Sequence, residues 1–236
     1  MLIMAAAVTK IDGNTEFVQD KMDTLKLWVG YLLEHGMDPG EQLCTDDFAG
    51  HLAHNTNLSV KAILGVEAYA QINRALGNED LYAEYHQKAV EMAENWEKTA
   101  ATEAGDHTRL TFDNDNTWSL KYNVMWDLFF DSKLFKQDMI EKEIDYYLKK
   151  QNEFGTPLDS RADYTKSDWL LWCAAMTEDP EKRKAMIRPI AKFLRETSSR
   201  VAFSDWYDTV KGEYVYFIAR SVQGGIFAPF LIRGDK

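Results

Sequence analysis

Hydrophobic residues recur at three- and four-residue steps through most of the first 200 residues. Val18, Met22, Leu25 and Val29 fall on one side of a helix, with charged residues between them, and Gly36 follows as a stop signal. This spacing is typical of amphipathic α-helices. The pattern predicts eight helices: Leu2–Ile11, Glu16–Glu34, Leu58–Leu76, Glu79–Thr99, Thr117–Phe130, Lys136–Gln151, Lys166–Met176 and Glu181–Ser198.

The predicted helices alternate in polarity. The odd-numbered helices carry few charges, as in Trp169–Met176, whereas the even-numbered helices have one strongly charged face, as in Gln137–Lys150. A helix that is apolar nearly all round is buried, and one with a charged face is outer. Inner and outer helices therefore alternate along the chain. Pro189 lies inside the eighth predicted helix, and we expect it to kink or split that helix.

The connections between the predicted helices alternate in length. Links from an inner to an outer helix are short, whereas the return links at 36–57, 100–116 and 152–165 are long, as is the segment 199–220. Such a loose repeat is typical of stacked helical hairpins, and it sends every long loop to one end. The pattern predicts an all-α fold, an α/α toroid with about four hairpins visible. We expect an incomplete six-hairpin ring, a single domain over residues 1–236 that is a fragment of a larger protein truncated at its N-terminus.

The charge balance limits the classes of partner. The chain has 38 acidic and 27 basic residues, a formal net charge of -11, and no basic stripe. Nucleic acid and anionic membrane surfaces are therefore poor candidates. No apolar stretch is long enough to span a membrane. The first residues lack the basic region of a signal peptide and are better interpreted as a helix entered part-way along.

The two cysteines, Cys44 and Cys173, lack the CxxC spacing of a zinc finger. A single bridge between them stays open, but two cysteines are too few for a disulfide framework. We favour two separate small apolar residues.

The first long loop combines carboxylates, imidazoles and amides. Asp46, Asp47, His54 and Asn55 lie in it, and Asn57 stands where a helix N-cap is expected. These groups are compatible with a metal site, but their spacing does not favour one. Helix capping is the structural alternative. A hydrogen-bonding wall for a polar substrate is the third interpretation.

The third long loop is the richest in polar groups. Asp159, Arg161, Lys166, Asp168 and Trp169 fall within eleven residues, a combination suited to a polar small molecule or a sugar. The structural alternative is a loop whose Arg and Asp pair with each other. The second long loop is polar too and leads into Trp118, Lys121 and Tyr122.

The fourth segment predicts a small β ribbon. Residues 207–212 have the composition of a hairpin turn, and apolar and polar residues alternate across Tyr214–Ile218. Asp205, Trp206 and Arg220 are the reactive candidates of this segment. Residues 224–225 would then begin a final apolar helix.

No established nucleophile motif occurs in the chain, and no phosphate-binding loop. What recurs is an aspartate beside a tryptophan, as in Asp168-Trp169 and Asp205-Trp206. Carboxylates next to aromatic platforms in a toroid suggest glycoside hydrolysis, in which one carboxylic acid protonates the leaving group and another activates water.

Five long segments together carry a family likeness. Residues 42–65, 118–127, 154–169, 204–209 and 219–231 resemble the C-terminal α-helical domain of the secreted glutaminase A family. The resemblance implies a domain of the six-hairpin glycosidase superfamily within a larger parent that has upstream β-rich domains. It also implies secretion or export to the periplasm or cell surface, and hydrolysis of L-glutamine to glutamate and ammonia.

The favoured hypothesis is therefore an amidohydrolase domain, a glutaminase, that acts on a small polar molecule without a metal or cofactor. Two alternatives remain: a carbohydrate-active enzyme that uses paired aspartates, and a non-catalytic module that braces the parent or binds sugar. The candidate acid/base residues are Asp47, Asp159, Asp168 and Asp205. The candidate substrate-binding residues are Asp46, His54, Asn55, Arg161, Lys166, Trp169, Trp206, Tyr207 and Arg220.

Overall fold

The structure, a computed structural model, describes residues 1–233. This part of the chain is mainly helical, with two short antiparallel strands, so the predicted all-α fold with a small β ribbon is confirmed. The α-helices are α1 Leu2–Asp12, α2 Glu16–Gln19, α3 Met22–His35, α4 Thr56–Ala75, α5 Glu79–Ala100, α6 Met125–Phe130, α7 Gln137–Lys149, α8 Ser167–Met176, α9 Pro180–Glu196 and α10 Ala228–Arg233. The strands are β1 Tyr164–Lys166 and β2 Trp206–Asp208, and 3₁₀ segments cover Asp47–Ala49, Tyr122–Val124 and Ser221–Phe227.

The chain divides into two compact units. The first comprises Met1–Ala100, Thr111–Asp113 and Trp126–Phe135. The second comprises Ala101–Leu110, Asn114–Met125 and the residues from Lys136 onward.

Helix α4 is the centre of the first unit and is buried over most of its circumference. The charged helix α5 packs along it and buries one stripe, including Trp96, whose indole N–H donates to the Thr56 carbonyl at 2.8 Å. Gly65 lets α3 approach closely, because a Cβ there would lie 2.5 Å from a methyl group of Leu32. Gly77 makes the short turn between α4 and α5 with a φ of 79°, a backbone conformation that favours glycine.

Helix α8 is the buried helix of the second unit, and α9 packs on it with an amphipathic face. Asp179 caps α9 by accepting from the amides of Glu181 and Lys182. Pro189 lies inside α9, which runs unbroken through it, so the predicted split does not occur.

The ribbon of the second unit contains the predicted hairpin and one further strand pairing. The expected turn is present, since Gly212 has a φ of 67° and the Asp208 amide donates to the Glu213 carbonyl at 2.8 Å. Tyr207 forms the antiparallel bridge to Tyr214 that the hairpin requires, and on its other side β2 pairs with β1, with Lys166 opposite Trp206. Strand alternation is visible in sequence, but the partner is set by a contact between distant segments.

Most predicted helices have somewhat different bounds in the structure, and three of the differences are the clearest. Glu16–Glu34 is interrupted at Asp20 and Lys21, and Thr117–Phe130 becomes α-helical only at Met125. Lys166 belongs to β1 and not to the following helix, because the ribbon holds its backbone extended.

Candidate functional site

Lys166 is the centre of a buried charged cluster in the second unit. It ends β1, and the ribbon register places it beside the residue that precedes β2, Asp205. Its ammonium forms an ion pair with Asp205 and lies 3.3 Å from Oδ1 of Asp168, in the first turn of α8. All three side chains are almost completely buried. A buried charge requires such pairing, because transferring an unpaired charge from water into the protein interior costs roughly several kcal/mol.

Arg220 completes the cluster. Its Nη2 donates to Oδ2 of Asp205 at 2.7 Å and its Nε to Oδ1 at 3.4 Å, while the guanidinium lies 3.7 Å from the centre of the Phe217 ring. The Arg220 side chain is 37% exposed. We call Lys166, Asp168, Asp205 and Arg220 the Lys166 cluster. Two cations face two carboxylates in it, so its formal charge is balanced.

The two carboxylates of the Lys166 cluster have opposite pKa shifts. Burial raises the pKa of Asp168, although Lys166 opposes this effect. Burial acts in the same direction on Asp205, but hydrogen bonds from Arg220 and Lys166 outweigh it and lower the pKa. Carboxyl pairs whose environments push their pKa values apart can divide acid and base roles between them. The arrangement can therefore support proton transfer at Asp168 beside Asp205, whose lowered pKa favours the ionised form.

Aromatic rings border the Lys166 cluster. Trp169 stacks on Tyr122, with ring centres 4.2 Å apart, and Trp172 contacts Trp169 edge to face. The Lys166 ammonium lies 5.6 Å from the Trp169 ring centre. Sequence reasoning singled out Trp169 and noted Tyr122, but it missed Phe217, for which the only signal was the apolar alternation before Arg220.

Asp159 and Arg161 form a pair of their own in the third loop. The Asp159 carboxylate accepts from the Arg161 amide at 2.8 Å and from its guanidinium at 2.6 and 3.0 Å. The Ser160 amide donates to the Trp118 carbonyl, so the second and third loops are in contact. This pairing is the structural alternative considered from sequence, since one guanidinium already occupies both oxygens of Asp159.

The candidates of the first loop belong to the first unit. Asp46 is buried and Asp47 is exposed at the start of a 3₁₀ segment. The side chain of Asn55, and not that of Asn57, caps α4 by accepting from the Leu58 amide at 2.7 Å. The expected cap was therefore misplaced by two residues, because α4 begins earlier than its apolar pattern.

His54 pairs with a residue that sequence reasoning did not single out. Its Nδ1 lies 2.8 Å from Oδ1 of Asp38, and this hydrogen bond raises the pKa of His54. His54 has a φ of 59°, and the Pro39 carbonyl and Phe112 amide hold its backbone. The signal for Asp38 was weak, since it lies alone at the start of the loop.

Trp206 and Tyr207 lie in the packed interior of the second unit. Tyr207 stacks on Phe193 with ring centres 3.8 Å apart, and its hydroxyl donates to the Phe154 carbonyl at 3.0 Å. Trp206 packs edge to face against Tyr164. Both side chains support the ribbon and the core, so we do not carry them into the proposed site.

A second buried network surrounds Lys121. Its ammonium donates to the Ser119 hydroxyl at 2.9 Å, and burial lowers its pKa to about 8. Tyr147 donates to Glu143 at 2.6 Å and accepts from the Lys121 amide. Lys121 was noted from sequence, whereas Glu143 and Tyr147 were hidden in the pattern of an amphipathic helix.

Other site types find no support in the described residues. Within residues 1–233, no three His, Cys, Asp or Glu side chains are grouped so as to hold a metal ion. In the described residues, Cys44 and Cys173 are buried and not joined by a disulfide bond. None of the helices in this part of the chain combines the length and apolar character needed to cross a membrane.

The structure is that of a helical-hairpin domain. Buried helices pair with charged helices, and polar loops carry a cluster of carboxylates, a lysine and an arginine. The chain belongs to the family described as the glutaminase A six helical-hairpin domain, whose family model matches residues 1–230. The family resemblance found in the sequence is thereby confirmed.

Two curated relatives support this membership. The chain is 33% identical over 237 residues to glutaminase A of Aspergillus oryzae, covering 98% of this chain and 34% of the relative. It is 32% identical over 243 residues to a probable glutaminase of Arthroderma benhamiae, covering 90% of this chain and 28% of the relative. The chain thus spans about a third of the length of these relatives.

Proposed function

We propose that the chain is a domain of a glutaminase A-like hydrolase that cleaves the side-chain amide of L-glutamine. The reaction adds water across the C–N bond and yields glutamate and ammonia. The names of the two relatives support this substrate. The observation that carries the proposal is the Lys166 cluster, in which two buried carboxylates with opposite pKa shifts share one ammonium.

Each member of the cluster has a distinct proposed role. Asp168 takes a proton from the attacking water and returns it to the leaving ammonia, because a raised carboxyl pKa lies closer to neutral pH and suits both steps. Asp205 stays ionised and positions Lys166. The Lys166 ammonium stabilises the negative charge that develops on the amide oxygen. Arg220 binds the carboxylate of the substrate, and Trp169 forms a wall beside it.

We further propose that other domains of a longer, exported protein help to complete the pocket, with the present residues forming one domain of it. The coverage of the relatives supports this, since about two thirds of their length lies outside the match. The other candidates from the sequence could take part in such a pocket only if another domain approaches their loops. These are Asp46, Asp47, His54, Asn55, Asp159 and Arg161.

Ammonia release from L-glutamine tests the assignment in the longest natural form of the protein that carries this chain. We expect Asp168→Asn to lower kcat by about a hundredfold or more, because general acid–base catalysis contributes roughly that much. Asp205→Asn should have a similar effect, since it leaves Lys166 misplaced. Asp208→Asn is the matched control, as the Asp208 carboxylate accepts from the Val210 and Lys211 amides of its own turn. Full activity in both test variants would exclude the assignment.

The same geometry also supports a glycoside hydrolase. Two carboxylates that contact one nitrogen lie close together, and retaining glycosidases use carboxyl groups only about 5–5.5 Å apart. Sugar release from α- or β-linked oligosaccharides without ammonia release would favour this alternative. If removal of residues 1–236 from the longer protein left its activity intact, a bracing or sugar-binding module would be favoured.

A further inference from the structure

The segment Ala219–Phe227 covers the Lys166 cluster. Gly225 lies against it so closely that a Cβ there would be 3.0 Å from the Cβ of Asp168 and 2.8 Å from Nε1 of Trp172. Asp168 is only 1% exposed. Within residues 1–233 neither of its carboxylate oxygens accepts a hydrogen bond of good geometry, although Lys166 forms an ion pair with it. Asp168 is therefore closed to a substrate in this structure, and the segment Ala219–Phe227 is part of what covers it.

The backbone of this segment is suited to movement. Residues Ser221–Phe227 form a seven-residue 3₁₀ helix, longer than such helices usually run, and they include two adjacent glycines. Ala219, at the start of the segment, has a φ of 50°, which is unfavourable for a residue with a side chain. Its amide donates to the Phe203 carbonyl at 3.0 Å, which fixes this end of the segment.

Arg220 is the contact that ties the segment to the charged interior. It is the first residue after Ala219, and its guanidinium bonds both oxygens of Asp205. It is also the member of the Lys166 cluster that reaches solvent, with 37% of its side chain exposed against 2% or less for the others. Asp205 keeps Lys166 as a partner if Arg220 leaves, so this exchange does not strand a buried charge.

We propose that Ala219–Phe227 is a lid, that the Arg220–Asp205 pair is its latch, and that a carboxylate on the ligand opens it by replacing Asp205 on Arg220. The ligand class is then a small α-amino acid with a free carboxylate, and neither a neutral sugar nor a peptide-bound glutamine opens the site. A planar guanidinium binds a carboxylate through two parallel hydrogen bonds, so the ligand offers Arg220 the same geometry that Asp205 does. The inference rests on the proposed function, but it concerns binding and can be measured without turnover.

Hydrogen exchange of residues 219–227, measured with and without L-glutamate, tests the lid directly. We expect L-glutamate to accelerate exchange there by about tenfold in the wild-type chain. In Arg220→Gln, exchange should already be fast and should not respond. Arg195→Gln is the matched control, because Arg195 is an exposed arginine on α9 in the same unit. A wild-type segment that does not respond to L-glutamate, or an Arg220→Gln segment that responds normally, would overturn the proposal.

A substrate pair tests the latch by kinetics. L-glutamine and its α-carboxamide differ only in the group that should meet Arg220. We expect Arg220→Gln to raise KM for L-glutamine by about 10- to 100-fold, because the carboxylate loses its partner, and to lower KM for the α-carboxamide, because the lid no longer has to be opened by a carboxylate. Arg220→Lys keeps the charge but not the two parallel hydrogen bonds, so its KM values should lie between those of wild type and Arg220→Gln. It also controls for misfolding of the Arg220→Gln variant. An equal effect on both substrates would exclude the latch.

The two outcomes separate the inference from the proposed function. If no ammonia is released from either substrate but L-glutamate still accelerates exchange in the lid, the glutaminase proposal fails and the carboxylate-opened lid stands. If ammonia is released but exchange and substrate preference are independent of Arg220, the lid fails and the glutaminase proposal stands.

Discussion

Asp127 is a buried carboxylate whose two oxygens hold the turn after α6. Oδ1 accepts from the Leu134 amide and Oδ2 from the Phe135 amide, each at 3.1 Å. Burial nevertheless raises the pKa of Asp127 from 3.8 to about 6, because those two bonds do not offset the loss of hydration. The folded chain therefore binds this proton more tightly than the unfolded chain does.

The raised pKa of Asp127 predicts a particular pH dependence of stability. Its contribution is fully present below the unfolded pKa of 3.8 and is lost as pH rises towards about 6. The free energy of unfolding should fall by about 3 kcal/mol across this window, since one pKa unit corresponds to about 1.4 kcal/mol. We expect Asp127→Asn to remove this decrease in the free energy of unfolding, measured by urea titration between about pH 4 and pH 6, roughly the range between the unfolded and folded pKa values. Asp131→Asn, at an exposed carboxylate of the same turn, is the control and should retain most of the slope, because burial and not the charge of Asp131 is the main cause of the raised pKa. Identical slopes for wild type and Asp127→Asn would contradict the assignment.

At the scale of elements, the side chain of Asn55 caps the first turn of α4. Asn55 accepts from the Leu58 amide, and α4 carries many of the buried apolar side chains of the first unit. Replacing Asn55 with alanine should lower the free energy of unfolding by about 1 kcal/mol, because the amide loses its acceptor. Asn55→Asp keeps an acceptor and should stay close to wild type. Urea titration of both variants measures this difference, and equal midpoints for Asn55→Ala and wild type would show that the cap does not matter.

Long periodic helices were predictable from the sequence, and nonlocal elements were not. The predicted Leu2–Ile11 and Glu79–Thr99 each match a helix of the structure to within one residue. Helix repeats are local, so sequence spacing is enough to find them. Thr117–Phe130 failed because its apolar residues are buried in an extended and 3₁₀ segment, where burial does not depend on helical period. The predicted pairing across the turn is present between Tyr207 and Tyr214, but the second partner of β2, β1, was not predicted, since that pairing joins distant residues.

At the scale of the whole molecule, the candidate site was predictable in part. The density of polar groups in the third and fourth loops pointed to Lys166, Asp168, Asp205 and Arg220, and these four do lie together. The same signal also selected Tyr207, whose hydroxyl is used by the core. A polar group that serves the core and one that serves a ligand look alike in sequence, because only the folded chain shows where each points.

The excess of negative charge predicts how the molecule behaves towards polyanions. With a formal net charge of -11, the chain should not bind duplex DNA or heparin at about 0.15 M salt, because it would gain too little from counterion release. Two measurements check this: the electrophoretic mobility of a DNA duplex mixed with the chain, and the retention of the chain on a heparin column, each with a basic protein of similar mass as the positive control. Retention that weakens steeply as salt rises would contradict the prediction.

The β ribbon restricts the number of residues that can lie between Asp205 and Asp208. Only three residue pairs join β1 to β2, and the Ser167 amide extends the ladder to the Asp205 carbonyl at 2.9 Å. Because side chains on a strand alternate in direction at every residue, one inserted or deleted residue between Asp205 and Asp208 would reverse the faces on one side of the change. Substitutions here change single contacts, whereas a change in residue count would separate Asp205 from Lys166. We expect this stretch to tolerate many exchanges of side chain and almost no change in length, although it lies within a long loop.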